Sequence, residues 1–96
     1  MMRRAPNLDD VFRALADPTR RAILERLGHG PAGTSALAAP FDMALPSFVQ
    51  HMAILQACDL VRSMKLGRTR MYRLAPPALK LAERWLAGRR RQAAPR

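Results

Sequence analysis

Cys58, His29 and His51 are the side chains that could ligate a soft metal or serve as nucleophile and base, and they are few and scattered. A single cysteine excludes an intrachain disulfide and the zinc-finger spacings, which need cysteine pairs. At a helical apolar position a lone cysteine is a small buried hydrophobe, and it suits a reducing, cytosolic setting. His51 stands beside the stripe of Phe48, Met52 and Leu55, the place of a packed, hydrogen-bonded histidine, while His29 belongs to a distant loop. No acid–base partner falls at usable spacing from His51. Without a nucleophile–base pair, paired carboxylates or a glycine-rich phosphate loop, the chain reads as no enzyme and as needing no cofactor.

The arginines offer different chemistry. Seventeen Lys plus Arg face seven Asp plus Glu, a formal net charge of +10, and every cation except Lys65 and Lys80 is an arginine. Guanidinium groups match phosphate oxygens bidentately, whereas ammonium groups act as point charges. A GC-rich genome also favours arginine, but it does not account for the net charge, which suits nucleic acid or an anionic membrane. No apolar run approaches the roughly 18 to 20 residues needed to span a bilayer. The basic start Met1-Met2-Arg3-Arg4 runs into Pro6, Asn7 and two aspartates with no hydrophobic signal core. Double-stranded DNA in the cytoplasm is the expected partner, and no membrane.

Short elements must position these cations. Leu8, Val11, Phe12 and Leu15 recur at helical spacing and predict a first helix over Leu8 to Ala16. Asp17-Pro18 is an N-cap followed by proline at the first helical position, opening a second helix. That helix carries Ile23, Leu24 and Leu27 and stops at Gly28, which suits a left-handed position. Gly30, Pro31 and Gly33 read as a loop, after which Thr34 or Ser35 caps a short third helix through Ala39. Phe41 to Met43 make the turn into a fourth helix, begun near Pro46 and reaching Ala57. Leu60 to Lys65 and Thr69 to Leu74 predict two strands about Leu66-Gly67, where glycine supplies the positive φ of a tight hairpin. Pro76-Pro77 open a last helix carrying Ala78, Leu79, Ala82, Trp85 and Leu86. Residues 1–88 then form one domain, and 89–96 a basic, disordered tail.

The expected fold is mainly α with a small β-hairpin, in the order helix-helix-helix-helix-hairpin-helix. Two short helices joined by a tight turn, the second followed by strands, make a winged helix-turn-helix. Leu15-Ala16-Asp17-Pro18-Thr19-Arg20-Arg21-Ala22-Ile23-Leu24 resembles the second-helix signature of ArsR/SmtB transcriptional regulators. Pro46 to Met52 resembles that family's recognition helix, with His51 at its habitual histidine. Asp59 to Arg62, Gly67-Arg68 and Tyr72 to Leu74 resemble its wing. The resemblance covers residues 8 to 87 in order.

It implies a homodimer joined by the first and last helices, with the fourth helix of each subunit in a major groove. The residues agree: Leu8, Val11 and Phe12, with Leu79, Ala82, Trp85 and Leu86, exceed what a small domain needs inside. Trp85 would waste a large apolar surface in water, unless it folds back on its own subunit. On the fourth helix the face opposite Phe48, Met52 and Leu55 presents Ser47, Gln50 and Ala53, with Val49 and Ile54 on the flanks. Gln50 can pair bidentately with an adenine edge, and Ser47 suits base or phosphate. Ala44 stands where the family commonly has serine, so the helix start lacks a side-chain cap.

The wing offers Lys65, Arg68 and Arg70, with Arg68 at its tip, for backbone or minor groove; some strand-edge cations merely guard the edge. Arg20 and Arg21 sit at the positive end of the second helix, where phosphate contact, or pairing with Asp17 or Glu25, offsets the cost. Founding members of the family sense metals through cysteine pairs in the third or fourth helix, or Asp and His on the last. Here the third helix has neither Cys nor His and the last offers only Glu83, so no metal site is expected. The reading is a sequence-specific DNA-binding regulator, a repressor at an imperfect palindrome, its small-molecule effector unknown. A winged-helix adaptor binding an acidic protein is the alternative.

Overall fold

Asn7 starts the first helix. In the computed structural model, which describes residues 5–95, its side chain accepts the N–H groups of Asp9 and Asp10 at 2.9 and 3.2 Å, opening α1 (Leu8–Leu15). Met1 to Arg4, on which the signal-peptide reading rests, lie outside the described residues, as does Arg96 of the expected tail. Asp17 caps α2 (Pro18–Leu27) as expected, accepting the Arg20 N–H at 2.9 Å with Pro18 in the first turn.

Gly28 departs from expectation. Its φ is −61°, right-handed, because its N–H still bonds back to the Leu24 carbonyl at 2.9 Å. The positive φ falls instead at Gly30, at 134°. Ala32–Gly33, expected as loop, form the two-residue strand β1. Thr34 and Ser35 cap nothing: Gly33 is the N-cap of α3 (Thr34–Ala38), without a side-chain bond. Ala44 likewise leaves α4 (Leu45–Ala57) uncapped by any side chain.

The hairpin is as expected, β2 (Val61–Leu66) and β3 (Thr69–Leu74) turning at Gly67 with φ 63°. β1 adds a third antiparallel strand, in the order β1-β3-β2, with Ala32 opposite Tyr72. The last helix, α5 (Pro76–Ala93), does not stop at Gly88, so residues 89–93 of the expected disordered tail are helical. Interior glycine costs only about 1 kcal/mol. Arg89 supports the added turn, its Nε donating to Gln92 Oε1 at 2.7 Å and its guanidinium lying 5.2 Å from the Trp85 ring centre.

Phe48, Met52 and Leu55 turn one face of α4 inward, meeting Val11, Ile23, Leu37, Leu60 and Val61, all at most 1% exposed. This anchoring aims the opposite face of α4 at solvent. Its exit is a Schellman turn: Leu60 N–H bonds to Leu55 O and Asp59 N–H to Gln56 O, both at 3.0 Å. Asp59 takes the left-handed position with φ 65°, which aspartate tolerates better than most side chains. It also faces Arg62 at 3.4 Å. A β-branched residue fits that backbone badly. Asp59→Val is therefore expected to lower stability by about 1–2 kcal/mol in urea titration and Asp59→Asn by less; equal losses would show that the ion pair, not the backbone, decides.

Candidate nucleic-acid interface

Ser47, Val49, Gln50 and Ala53 stand together on the outer face of α4, all exposed, as the helical spacing requires. The wing exposes Lys65, Arg68 and Arg70. Lys65 lies directly across from Arg70 in the β2–β3 register, so two cations share one face. Like charges in that relation repel. Arg70 is held by Ser63, whose Oγ accepts from Arg70 Nη1 at 2.7 Å and from Gln56 Nε2 at 2.9 Å. That bridge ties the end of α4 to the wing, and the sequence carried no signal for it, because the partners are seven residues apart on different elements. Between α3 and the wing runs an open groove of about 410 Å³, with Thr34, Ser35 and Thr69 hydroxyls among its walls and Arg68 and Arg70 along one side.

Arg20 has an internal role that the sequence did not announce, because the carbonyls ending α1 need donors. Its Nε donates to Ala14 O at 2.9 Å, its Nη2 to Arg13 O at 3.1 Å, and its Nη1 to His51 Nδ1 at 3.2 Å. Arg21 Nη1 reaches Leu15 O at 2.8 Å. Two cations that burden the start of α2 thereby serve the end of α1, where the helix dipole favours them. His51 is packed and hydrogen-bonded, with Nδ1 also 3.7 Å from Asp17 Oδ2. The Arg20 N–H holds the Asp17 carboxyl below its usual range; partial burial opposes this, and the charge of Arg20 reinforces it.

The expected subunit-contact residues separate into two groups. Val11 and Ala82 are sealed inside the protomer, since each sits on the helix stripe facing the core. Leu8, Phe12 and Leu79 are half-buried, whereas Trp85 is 44% and Leu86 53% exposed. Trp85 does fold back in part, meeting the Phe12 ring edge-to-face at 5.7 Å. An open groove of about 690 Å³ lies along α5, lined by Leu15, Leu79, Ala82 and Leu86 among others.

Cys58 is buried and donates weakly to Leu55 O at 3.5 Å, and burial pushes its thiol pKa up. Among the described residues no group of three or more His, Cys, Asp or Glu side chains could hold a metal ion. No helix among the described residues is long and apolar enough to cross a membrane.

Residues 15–63 match a family described as a helix-turn-helix domain. The chain is 42% identical to the HTH-type transcriptional regulator Rv2034 of Mycobacterium tuberculosis over 74% of its own length, a stretch spanning 66% of that protein. It is 30% identical to the transcriptional repressor SdpR of Bacillus subtilis, over 82% of this chain and 88% of that one. A crystal structure of an ArsR family transcriptional regulator superposes with a TM-score of 0.86 at 46% identity, covering 93% of this chain and 98% of the other.

The Arg20 junction is testable without DNA. Arg20→Lys keeps the charge but replaces a planar fork with one nitrogen, and is expected to lose about 1–3 kcal/mol on urea unfolding, close to Arg20→Ala. Wild-type stability for Arg20→Lys would show that charge alone suffices. Because the folded carboxyl of Asp17 titrates below its ordinary value of 3.8, its contribution is whole above that pH and lost as pH falls through the folded value. Asp17→Asn should flatten that acid limb of the stability curve, and an unchanged limb would count against the cap.

Proposed function

The chain belongs to the ArsR/SmtB-type family of winged helix-turn-helix transcriptional regulators, and we propose that it acts as a homodimeric repressor at an imperfect palindrome, α4 of each subunit entering a major groove. The observation that carries the DNA reading is the pairing of an exposed α4 face with a wing whose Lys65 and Arg70 confront each other. Such a pair costs free energy unless an anion lies between or beside the two cations, and a phosphate backbone running past the wing supplies one.

Roles follow from position. Gln50 reads a base edge, and Ser47 a base or the phosphate beside it. Val49 and Ala53 pack against the groove floor. Arg68 at the hairpin tip, with Arg70 and Lys65 behind it, holds the backbone or enters the adjoining minor groove. Thr34 and Ser35 stand across the α3–wing groove to receive the same strand. Most such contacts fix register rather than sequence.

Dimerisation rests on the α1–α5 face. Trp85 and Leu86 leave a large apolar area in water, and a second copy related by a two-fold axis covers it while placing two α4 helices on successive half-sites. The repressor reading is supported by the name of the Bacillus subtilis relative.

In mobility-shift titrations Gln50→Ala is expected to narrow the gap between selected and random duplexes by about 1–3 kcal/mol. Arg68→Ala should weaken both alike and reduce the salt slope by about one. The reverse pattern would reassign which element reads sequence. Leu86→Glu should give a folded monomer by sedimentation with greatly weakened operator binding, and a persistent dimer would move the interface elsewhere.

A further inference from the structure

From Leu45 to Ala57 the recognition helix carries no Asp, Glu, Lys or Arg. Its outward surface is apolar for the most part, with Val49 49% and Ile54 37% exposed and Ala53 beside them. Among its polar side chains, His51 is held in the Arg20 junction and Gln56 is spent on Ser63. Ser47 and Gln50 remain to face a partner. The wing exposes the cations Lys65, Arg68 and Arg70, and Arg70 is tied to the end of α4 through Ser63 and Gln56.

An apolar face with cations on the wing that follows it suits one kind of surface: a floor of methyl groups between walls of phosphate. An apolar protein patch covering both elements would leave the wing cations to be desolvated without partners. The major groove supplies both parts, because thymine alone among the bases presents a C5-methyl there. We infer that α4 reads A·T pairs, Val49 and Ala53 meeting thymine methyls while Gln50 takes an adenine edge, and that no guanine is read from this helix. The commonest guanine contact, a bidentate Arg or Lys to O6 and N7, has no donor anywhere on α4. Val49 and Ala53 lie one helical turn apart on the same side of Gln50, so they meet neighbouring base steps. This assignment rests on the proposed DNA reading and names the chemistry of its half-site.

The test uses the intact protein and duplexes selected from a random pool. In the bound sequences, each thymine is replaced in turn by deoxyuridine, which removes only the methyl. At one or two thymines per half-site, affinity should fall about fourfold, the weight of one buried methyl. Val49→Ala, at an exposed position where alanine is the better helix former, should lose that dependence at one of them. Selected sites indifferent to deoxyuridine, or selected sites whose bound half holds guanines that respond to α4 substitutions, would overturn the thymine reading while leaving the DNA-binding one intact. No enrichment of any sequence over the starting pool would overturn both.

Discussion

The guanidinium of Arg20 ties together the end of α1, the start of α2 and the middle of α4. It donates to the carbonyls of Arg13 and Ala14 and to His51 thirty-one residues away, while its own backbone N–H completes the Asp17 cap. A planar fork with several donors in fixed directions can do this, and an ammonium on a flexible stem cannot. The orientation of α4 depends on two restraints: the buried row of Phe48, Met52 and Leu55 fixes which face turns outward, and the His51 contact fixes the helix against α1 and α2. Family membership accounts for neither restraint by itself; the local chemistry does.

A division of labour in charge follows from this frame. The helix proposed to enter the groove carries no Asp, Glu, Lys or Arg, and the cations are displaced to the wing and to α5. Phosphate contacts give affinity that is largely blind to sequence, whereas base contacts give selectivity. Separating the two onto different elements lets each be altered without the other. The Gln56–Ser63–Arg70 bridge keeps the elements in step, because the wing arginine is hydrogen-bonded to the strand that follows directly from α4.

Much of this was legible in the chain. Asp17-Pro18 marked a helix start, Gly67 a hairpin, and the spacing of Phe48, Met52 and Leu55 separated the inner from the outer face of α4; each signal is local, and each survives in the structure. What escaped depends on contacts between segments remote in sequence. Arg20 read as a surface cation because nothing nearby reveals that it reaches α1 carbonyls and His51. Gly88 read as a stop because glycine is a weak helix former, yet Arg89 stacked on Trp85 and bonded to Gln92 carries the helix past it. β1 is two residues long and exists through its pairing with β3, which no periodicity of two residues can announce. Val11 and Ala82 shared a helical pattern with truly exposed neighbours, and only the packed structure shows which apolar positions the protomer keeps for itself.

In the proposed complex an exposed helix without Asp, Glu, Lys or Arg supplies selectivity on top of a salt-sensitive grip by the wing. The most direct measurement is the affinity for one selected and one random duplex across a range of salt concentrations. Steep, nearly parallel falls of log affinity with log salt are expected, displaced by a constant gap that reflects base contacts. Coincident lines, with no gap at any salt concentration, would contradict it.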